Sequence, residues 1–230
     1  MGNAKHVGRR MSGQSMQNVA LQQLIEAAPR ITHLRAAIWN SGFQPVAVEN
    51  PVIGAKETGK RPKPGHGWPD GARRNPPECL AGPPDSAALN TGILCDGLRA
   101  IDIDIDDPTL ARKIEAIAVA RFGATITRTR ENSPRLLLVY QAAEGEPAKR
   151  VIAGEFGKVE VLGRGQQAVV MGLHHTARWL NWRDNRGPWN TPRDDLPPVS
   201  PADEDAFAAE IAPLVGAPAK VVDLAARLAP

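Results

Sequence analysis

Acids and isoleucines alternate without a break along Ile101-Asp102-Ile103-Asp104-Ile105-Asp106, the stretch of this chain best suited to chemistry. Side chains two apart on a β-strand share a face. A strand here puts Asp102, Asp104 and Asp106 on one side and three isoleucines on the other. Three like charges in a row repel one another, and Asp disfavours strands, so the row needs an offsetting charge. A divalent cation supplies one, and carboxylate oxygens suit Mg²⁺ or Mn²⁺. The competing reading is an edge strand charged against aggregation; the third Asp and the Asp107-Pro108 helix start favour the metal. Within the row Asp102 and Asp104 are the expected ligands, with Asp106 a helper or a helix cap.

Further groups complement that strand. Val159-Glu160-Val161-Leu162-Gly163 sets one acid in an apolar run. Alone, Glu160 reads as solvent-facing; with Asp102 and Asp104 it completes three carboxylates for two ions roughly 3.5–4 Å apart, as in two-metal phosphoryl transfer. Arg128, Arg130, Ser133 and Arg135 lie across a polar turn at Glu131-Asn132-Ser133-Pro134. Arg forks take phosphate oxygens bidentately and Ser adds a hydroxyl, so beside an acid cage this group reads as a triphosphate clamp, although any one of them would pass as a surface residue. In His174-His175, adjacent strand positions would face opposite ways; His174 is the candidate phosphate contact and His175 incidental. Lys60-Arg61-Pro62-Lys63-Pro64 with Trp68 fits a strand-binding loop that joins phosphate contacts to base stacking, a solvated linker being the alternative.

The elements that position these residues follow from pattern. Residues 1–16 are polar and basic and are expected to form a disordered tail. Apolar positions from Leu21 to Ile38 suggest helix, interrupted at Pro29, followed by a turn and a short strand over residues 42–48. Residues 49–89, rich in Pro and Gly, read as a long functional or disordered loop. Arg99 to Ile105 is a half-buried strand. The helix from Pro108 to Gly123 buries Leu110, Ile114, Ile117 and Phe122. Two strands, 124–128 and 135–141, come next. Lys158–Leu162 and Gln166–Gly172 are expected to form a hairpin across Gly163-Arg164-Gly165. A short strand near Trp179–Trp182 precedes a last helix capped by Ser200, with Phe207, Ile211 and Leu214 inward. This order predicts an α+β domain with a mixed or antiparallel sheet.

The totals agree. Two hundred and thirty residues allow a real core, and the net charge of +3 is compatible with nucleic acid. Cys79 and Cys95 are too few for a disulfide scaffold and read as reduced thiols. No apolar run approaches the roughly 20 residues of a membrane helix, and the expectation is a cytoplasmic protein without membrane partners.

Taken in order, several stretches resemble the bifunctional primase–polymerase domain of the archaeo-eukaryotic primase superfamily, found on phages, plasmids and integrated elements. They are Lys60-Arg61-Pro62 through Trp68, Asn90-Thr91-Gly92-Ile93-Leu94, Ala100-Ile101-Asp102-Ile103-Asp104, Asn132-Ser133-Pro134-Arg135, and Val159-Glu160-Val161-Leu162-Gly163 with Gly165-Gln166-Gln167; Trp182 fits an aromatic position near the end. The likeness runs from about residue 35 to 215. It implies an RRM-like sheet with a smaller accompanying α/β module, and a catalytic domain over 17–215 followed by a tail or linker at 216–230. The family's first motif falls on Asp102 and Asp104, and its third on Glu160. Its second, typically Ser-x-His, falls on Ser133 and Arg135, so Arg stands where His is common; Arg can neutralise a triphosphate but cannot shuttle a proton near neutral pH. His175 also stands where many relatives have Pro.

The resemblance implies template-directed nucleotidyl transfer by two Mg²⁺ or Mn²⁺ ions, with NTP or dNTP substrates. Arg128, Arg130, Ser133, Arg135 and His174 would hold the triphosphate, and Lys60, Arg61 and Trp68 would track a single-stranded DNA template. A helicase domain or partner is the expected companion. The alternatives are a non-catalytic single-stranded-DNA-binding replication-initiation module of the same fold, suggested by Arg135, and a metal-dependent nuclease.

Overall fold

The computed structural model describes residues 13–63 and 65–217. The expected N-terminal tail lies outside the described residues up to residue 12, as does the expected C-terminal tail from residue 218. Residues 13–16 already belong to the first helix, α1 (Gly13–Asn40). That helix runs straight through Pro29, where an interruption was expected. Pro29 is exposed, and beyond it Ile31, Arg35 and Ile38 are buried and anchor the continuation. The buried Arg35 guanidinium donates to Thr91 Oγ1 at 3.0 Å, Ala88 O at 2.6 Å and Asn90 O at 3.0 Å, fastening the helix to the start of a strand.

Strand β1 (Pro45–Val48) leads into the long connection, which holds a short helix α2 (Trp68–Arg73) and one 3₁₀ turn. Then come β2 (Asn90–Leu94), β3 (Leu98–Asp104), α3 (Pro108–Phe122), β4 (Ile126–Arg130) and β5 (Ser133–Ala142). The chain continues through β6 (Arg150–Gly154), β7 (Gly157–Leu162), β8 (Gln167–Met171), β9 (Leu180–Trp182), β10 (Pro198–Val199) and α4 (Pro201–Ile211). The capping chemistry is as expected for α4, where Ser200 accepts from Asp203 N. At α3 the cap is Asp107, accepting from Thr109 N and Leu110 N, and not Asp106. The polar turn before β5 is also tighter than expected: Asn132 takes φ 57°, and Ser133 and Pro134 already belong to the strand.

The larger sheet has the order β6-β7-β3-β5-β4-β9, antiparallel throughout, with β10 joining β5 in parallel. The smaller sheet is β1-β2-β8, antiparallel. The class is thus the expected α+β, with a mixed sheet and a smaller module. The expected hairpin between β7 and β8 is not there. β7 pairs with β3 and with β6, whereas β8 pairs with β2 in the other sheet. Alternation in a sequence marks a strand without naming its neighbour, and Gly163-Arg164-Gly165 carries the chain between sheets. A side chain at Gly163 would run into Pro147 O and the Arg99 guanidinium, so only Gly fits this crossing.

Period-2 alternation divides β3 between two environments. Ile101, Ile103 and Ile105 pack with Leu136, Leu138, Tyr140, Val159 and Val161 against Ala111, Ile114, Ala118 and Phe122 of α3 and Phe207 and Ile211 of α4. On the opposite face Leu98 and Ala100, with Leu137, Val139 and Leu162, pack against Ile93, Ala168 and Val170 of the smaller sheet and Ile38 of α1. The smaller module therefore covers the first half of that face. The second half, beginning at Asp102, is left to a pocket.

Candidate active site

Strand register builds the site. Asp102 is paired with Glu160 on one side and with Leu137 on the other, and Leu137 is paired in turn with Arg128. Glu160, Asp102, Leu137 and Arg128 thus form one row across four strands, and Asp104, two residues along β3, pairs with Lys158. Directly opposed side chains on adjacent antiparallel strands stand about 4.5–5.5 Å apart at Cβ, so pairing alone brings two acids together.

A cavity of about 770 Å³ opens over this row. Its acids are Asp102, Asp104, Asp106 and Glu160 from the large sheet, with Glu57 from the loop before β2. Its bases include Arg128, Arg130, Arg135, Lys149 and Lys158. His174, His175 and Thr176 also line it, as does the segment Lys56 to Lys60, and the two loops are joined where Gly54 N donates to His175 O at 2.8 Å.

Each acid meets a base. Arg128 stands 3.6 Å from Asp102 and also donates to Val169 O of β8, bridging the two sheets. Lys149 and Lys158 hold the two oxygens of Glu160 at 2.7 and 3.1 Å. Arg135 donates to Asp104 Oδ1 and grips both oxygens of Asp106 at 2.8 and 2.9 Å. Burial pushes the Asp102 carboxyl above its usual range; Arg128 opposes this, while Asp104 and Glu160 add to it. Burial also pushes Glu160 up, but its hydrogen bonds to Lys149 and Lys158 outweigh that and leave it lowered. The hydrogen bonds from Arg135 hold Asp106 low.

Among the described residues no group of three or more His, Cys, Asp and Glu side chains forms a ready-made cage for one metal ion. The donor set nevertheless suits a hard dication. Asp102, whose charge is disfavoured by burial and by two neighbouring acids, would be stabilised by a cation placed among the three.

The remaining polar groups form a chain at the rim. Arg130 donates to Ser133 Oγ at 2.9 Å and faces His174 Nε2 at 2.7 Å. Arg only donates, so Nε2 is the acceptor, and on the other side of the ring Nδ1 lies 2.9 Å from Thr176 Oγ1 and 3.3 Å from Thr176 N. Burial first, then the charges of Arg130 and His175, lower the His174 pKa to about 3.

Residues 37–199 match the family model described as bifunctional DNA primase/polymerase, N-terminal. The chain belongs to this family. The match spans well over half of the chain and takes in the whole acid row, and membership makes the protein a primase/polymerase nucleotidyltransferase by family. No curated protein matches the chain. No helix among the described residues is long and apolar enough to cross a membrane.

Most of the sequence-predicted residues of this primase/polymerase converge. Asp102, Asp104, Glu160, Arg128, Arg130, Arg135, His174 and Lys60 all line the one cavity, and Ser133 touches it through Arg130. Arg61 is exposed and does not line the cavity. Neither does Trp68, which opens α2 and packs against the cluster of Val46, Val48, Ala72 and Leu94. His175, expected to point away, lines the cavity with its ring 4.1 Å from that of His174. β8 ends at Met171, so the two histidines sit on a loop where strand alternation does not apply. Lys56, Glu57, Lys149 and Lys158 escaped the sequence reading. Lys158 lies two positions before Glu160 on the same strand, and the period-2 rule would have found it. Lys149 precedes β6, a short strand without alternating pattern, and nothing local marks it.

Proposed function

We propose that this domain performs template-directed nucleotidyl transfer, synthesising primers or extending DNA, with Asp102, Asp104 and Glu160 holding two Mg²⁺ or Mn²⁺ ions. The reading rests on the row Glu160–Asp102–Leu137–Arg128 at the floor of a pocket edged with bases, in a chain of the primase/polymerase family. Such ions, when bound, would lower the pKa of a primer 3′-hydroxyl and stabilise the charge of the α-phosphate and of the departing pyrophosphate. The chain's own residues do the rest. Arg128, Arg130, Ser133, Arg135 and His174 orient the triphosphate, and burial strengthens each of those contacts. Lys60 at the rim, with Arg61 beside it, follows the backbone of a single-stranded template. Residues 17–215 make up the catalytic unit, which fits the replication apparatus of a phage, plasmid or integrated element, with a helicase domain or partner nearby.

The test is primer extension and de novo priming by the full chain on single-stranded DNA, with each metal and with NTPs or dNTPs. Wild type incorporates nucleotide, and Asp102→Asn or Glu160→Gln lowers the rate by about a hundredfold or more. Failure of wild type to incorporate with either metal, or full activity in Asp102→Asn, sinks the proposal. A second reading, a DNA-binding module without catalysis, is favoured by one contact: Arg135 occupies Asp104, one of the proposed ligands. Tight binding of single-stranded DNA with no incorporation would select it.

A further inference from the structure

Arg135 sits where the proposed chemistry would least expect a fixed cation. Its guanidinium donates to Asp104 Oδ1 and, bidentately, to both oxygens of Asp106 at 2.8 and 2.9 Å. Asp106 lies past the end of β3, and its side chain is 79 % exposed. The Asp106 pair is therefore solvent-screened and weakly held, easily traded for another partner. Asp104, 30 % exposed, faces into the cavity, with Lys158 at 3.9 Å as its other cation.

We infer that Arg135 is an exchangeable counter-ion that couples metal binding to nucleotide binding. With the pocket free it neutralises Asp104 from a perch on Asp106; when a dication takes Asp104, the guanidinium leaves for the triphosphate. This deepens the proposed function and rests on its metal site. The driving force is charge. A dication on Asp104 would repel a guanidinium held at the same carboxylate, and the displaced fork is matched in shape to phosphate oxygens. Metal and triphosphate then help each other bind, because each removes the partner that the other must displace, and the coupling is the same in both directions. The third acid of the strand also gains a purpose: Asp106 is not a ligand but the resting place of Arg135.

The test uses the full chain and two probes. Mn²⁺ alone is titrated by the paramagnetic resonance of unbound Mn²⁺. A non-hydrolysable α,β-methylene deoxynucleoside triphosphate is titrated calorimetrically with and without Mn²⁺. In wild type, Mn²⁺ is expected to tighten the analogue by about fivefold or more. Arg135→Gln is expected to bind Mn²⁺ at least about fivefold more tightly than wild type without nucleotide, and to show a smaller coupling, keeping only what the metal and the triphosphate contribute directly. Arg135→Lys offers one point charge that cannot hold Asp104 and both oxygens of Asp106, so its Mn²⁺ affinity should fall between the two. It also covers the case in which Arg135→Gln does not fold. An Mn²⁺ affinity that is unchanged or weaker in both variants, or coupling in Arg135→Gln as large as in wild type, overturns the inference while leaving the proposed function standing. If Asp102→Asn and Glu160→Gln bind Mn²⁺ as wild type does, the metal site itself is misassigned and both proposals fall.

Discussion

At His174 the environment, not the residue type, decides the chemistry. Free imidazole titrates near 6.5, but here burial and the neighbouring charges of Arg130, His175 and Lys60 bring the pKa to about 3. The ring is therefore neutral at working pH, with Nε2 accepting from Arg130. A neutral ring cannot itself offset phosphate charge, so in the proposed function its part would be to hold Arg130 toward the triphosphate. A pH dependence of stability follows. Below about 6.5 the unfolded chain takes up a proton at this position and the folded chain does not, so stability falls with falling pH. The loss accumulates down to the folded-state value of about 3, and above 6.5 the contribution is complete. The ring is only half buried, and solvent screening tempers the size of the effect. Denaturant unfolding at pH 7, 5.5 and 4.5 should show His174→Gln losing less stability on acidification than wild type. Parallel loss in both proteins would mean that His174 is protonated in the fold.

The elements carrying the site differ in how openly they announce themselves. β3 and the end caps of α3 and α4 were legible because their signals are local: alternation, Asp-Pro and Ser-Pro. The partners of β7 and β8 were not, since pairing joins residues far apart in the chain, and the short strand β6 has no alternation to betray it. Lys149 was hidden with it, because it comes to Glu160 only through the pairing of β6 with β7. The aromatic assignment failed for a related reason. A Trp in a basic loop suits base stacking, but nothing in the loop's composition tells that Trp68 opens a helix and packs inward. The exposed tryptophan is Trp179, 37 % accessible, on the loop that bears His174, His175 and Thr176 at the pocket rim. The two residues should part company experimentally. Trp68→Ala should lower unfolding free energy by about 2 kcal/mol through lost packing, with little change in DNA affinity per folded molecule. Trp179→Ala should leave stability nearly unchanged and weaken single-stranded DNA binding by about 1–3 kcal/mol. Denaturant melts and fluorescence anisotropy read the two effects, and the opposite pattern would restore Trp68 as the stacking residue.

On the scale of the whole molecule, a net charge of +3 conceals a dense gathering of both signs at one place. Seven bases and five acids line the one cavity, so its modest positive excess arises from dense opposing charges and not from sparse ones. The two-sheet arrangement brings these charges together. Helices α3 and α4 cover one face of the large sheet, the smaller sheet with α1 covers half of the other, and the charged side chains of the cavity fill what remains. On the proposed template path, DNA phosphates would meet Lys56 and Lys60 first, on the loop joined to that of His175. Each lysine that contacts phosphate of a single strand should contribute about 0.7 to the slope of log K against log salt. Lys56→Ala/Lys60→Ala should accordingly flatten that slope by up to about 1.4. Lys60 is partly neutralised by Glu57 at 3.3 Å, so Lys56 should account for the larger share. Removing the acid sharpens the test: Glu57→Gln frees Lys60 and should steepen the slope relative to wild type, whereas Trp179→Ala should lower affinity at every salt concentration without changing it. Anisotropy titrations of a labelled single strand between about 50 and 200 mM salt cover the range in which such slopes are resolved. A slope that ignores both lysines and Glu57 would move the path of the template away from this rim.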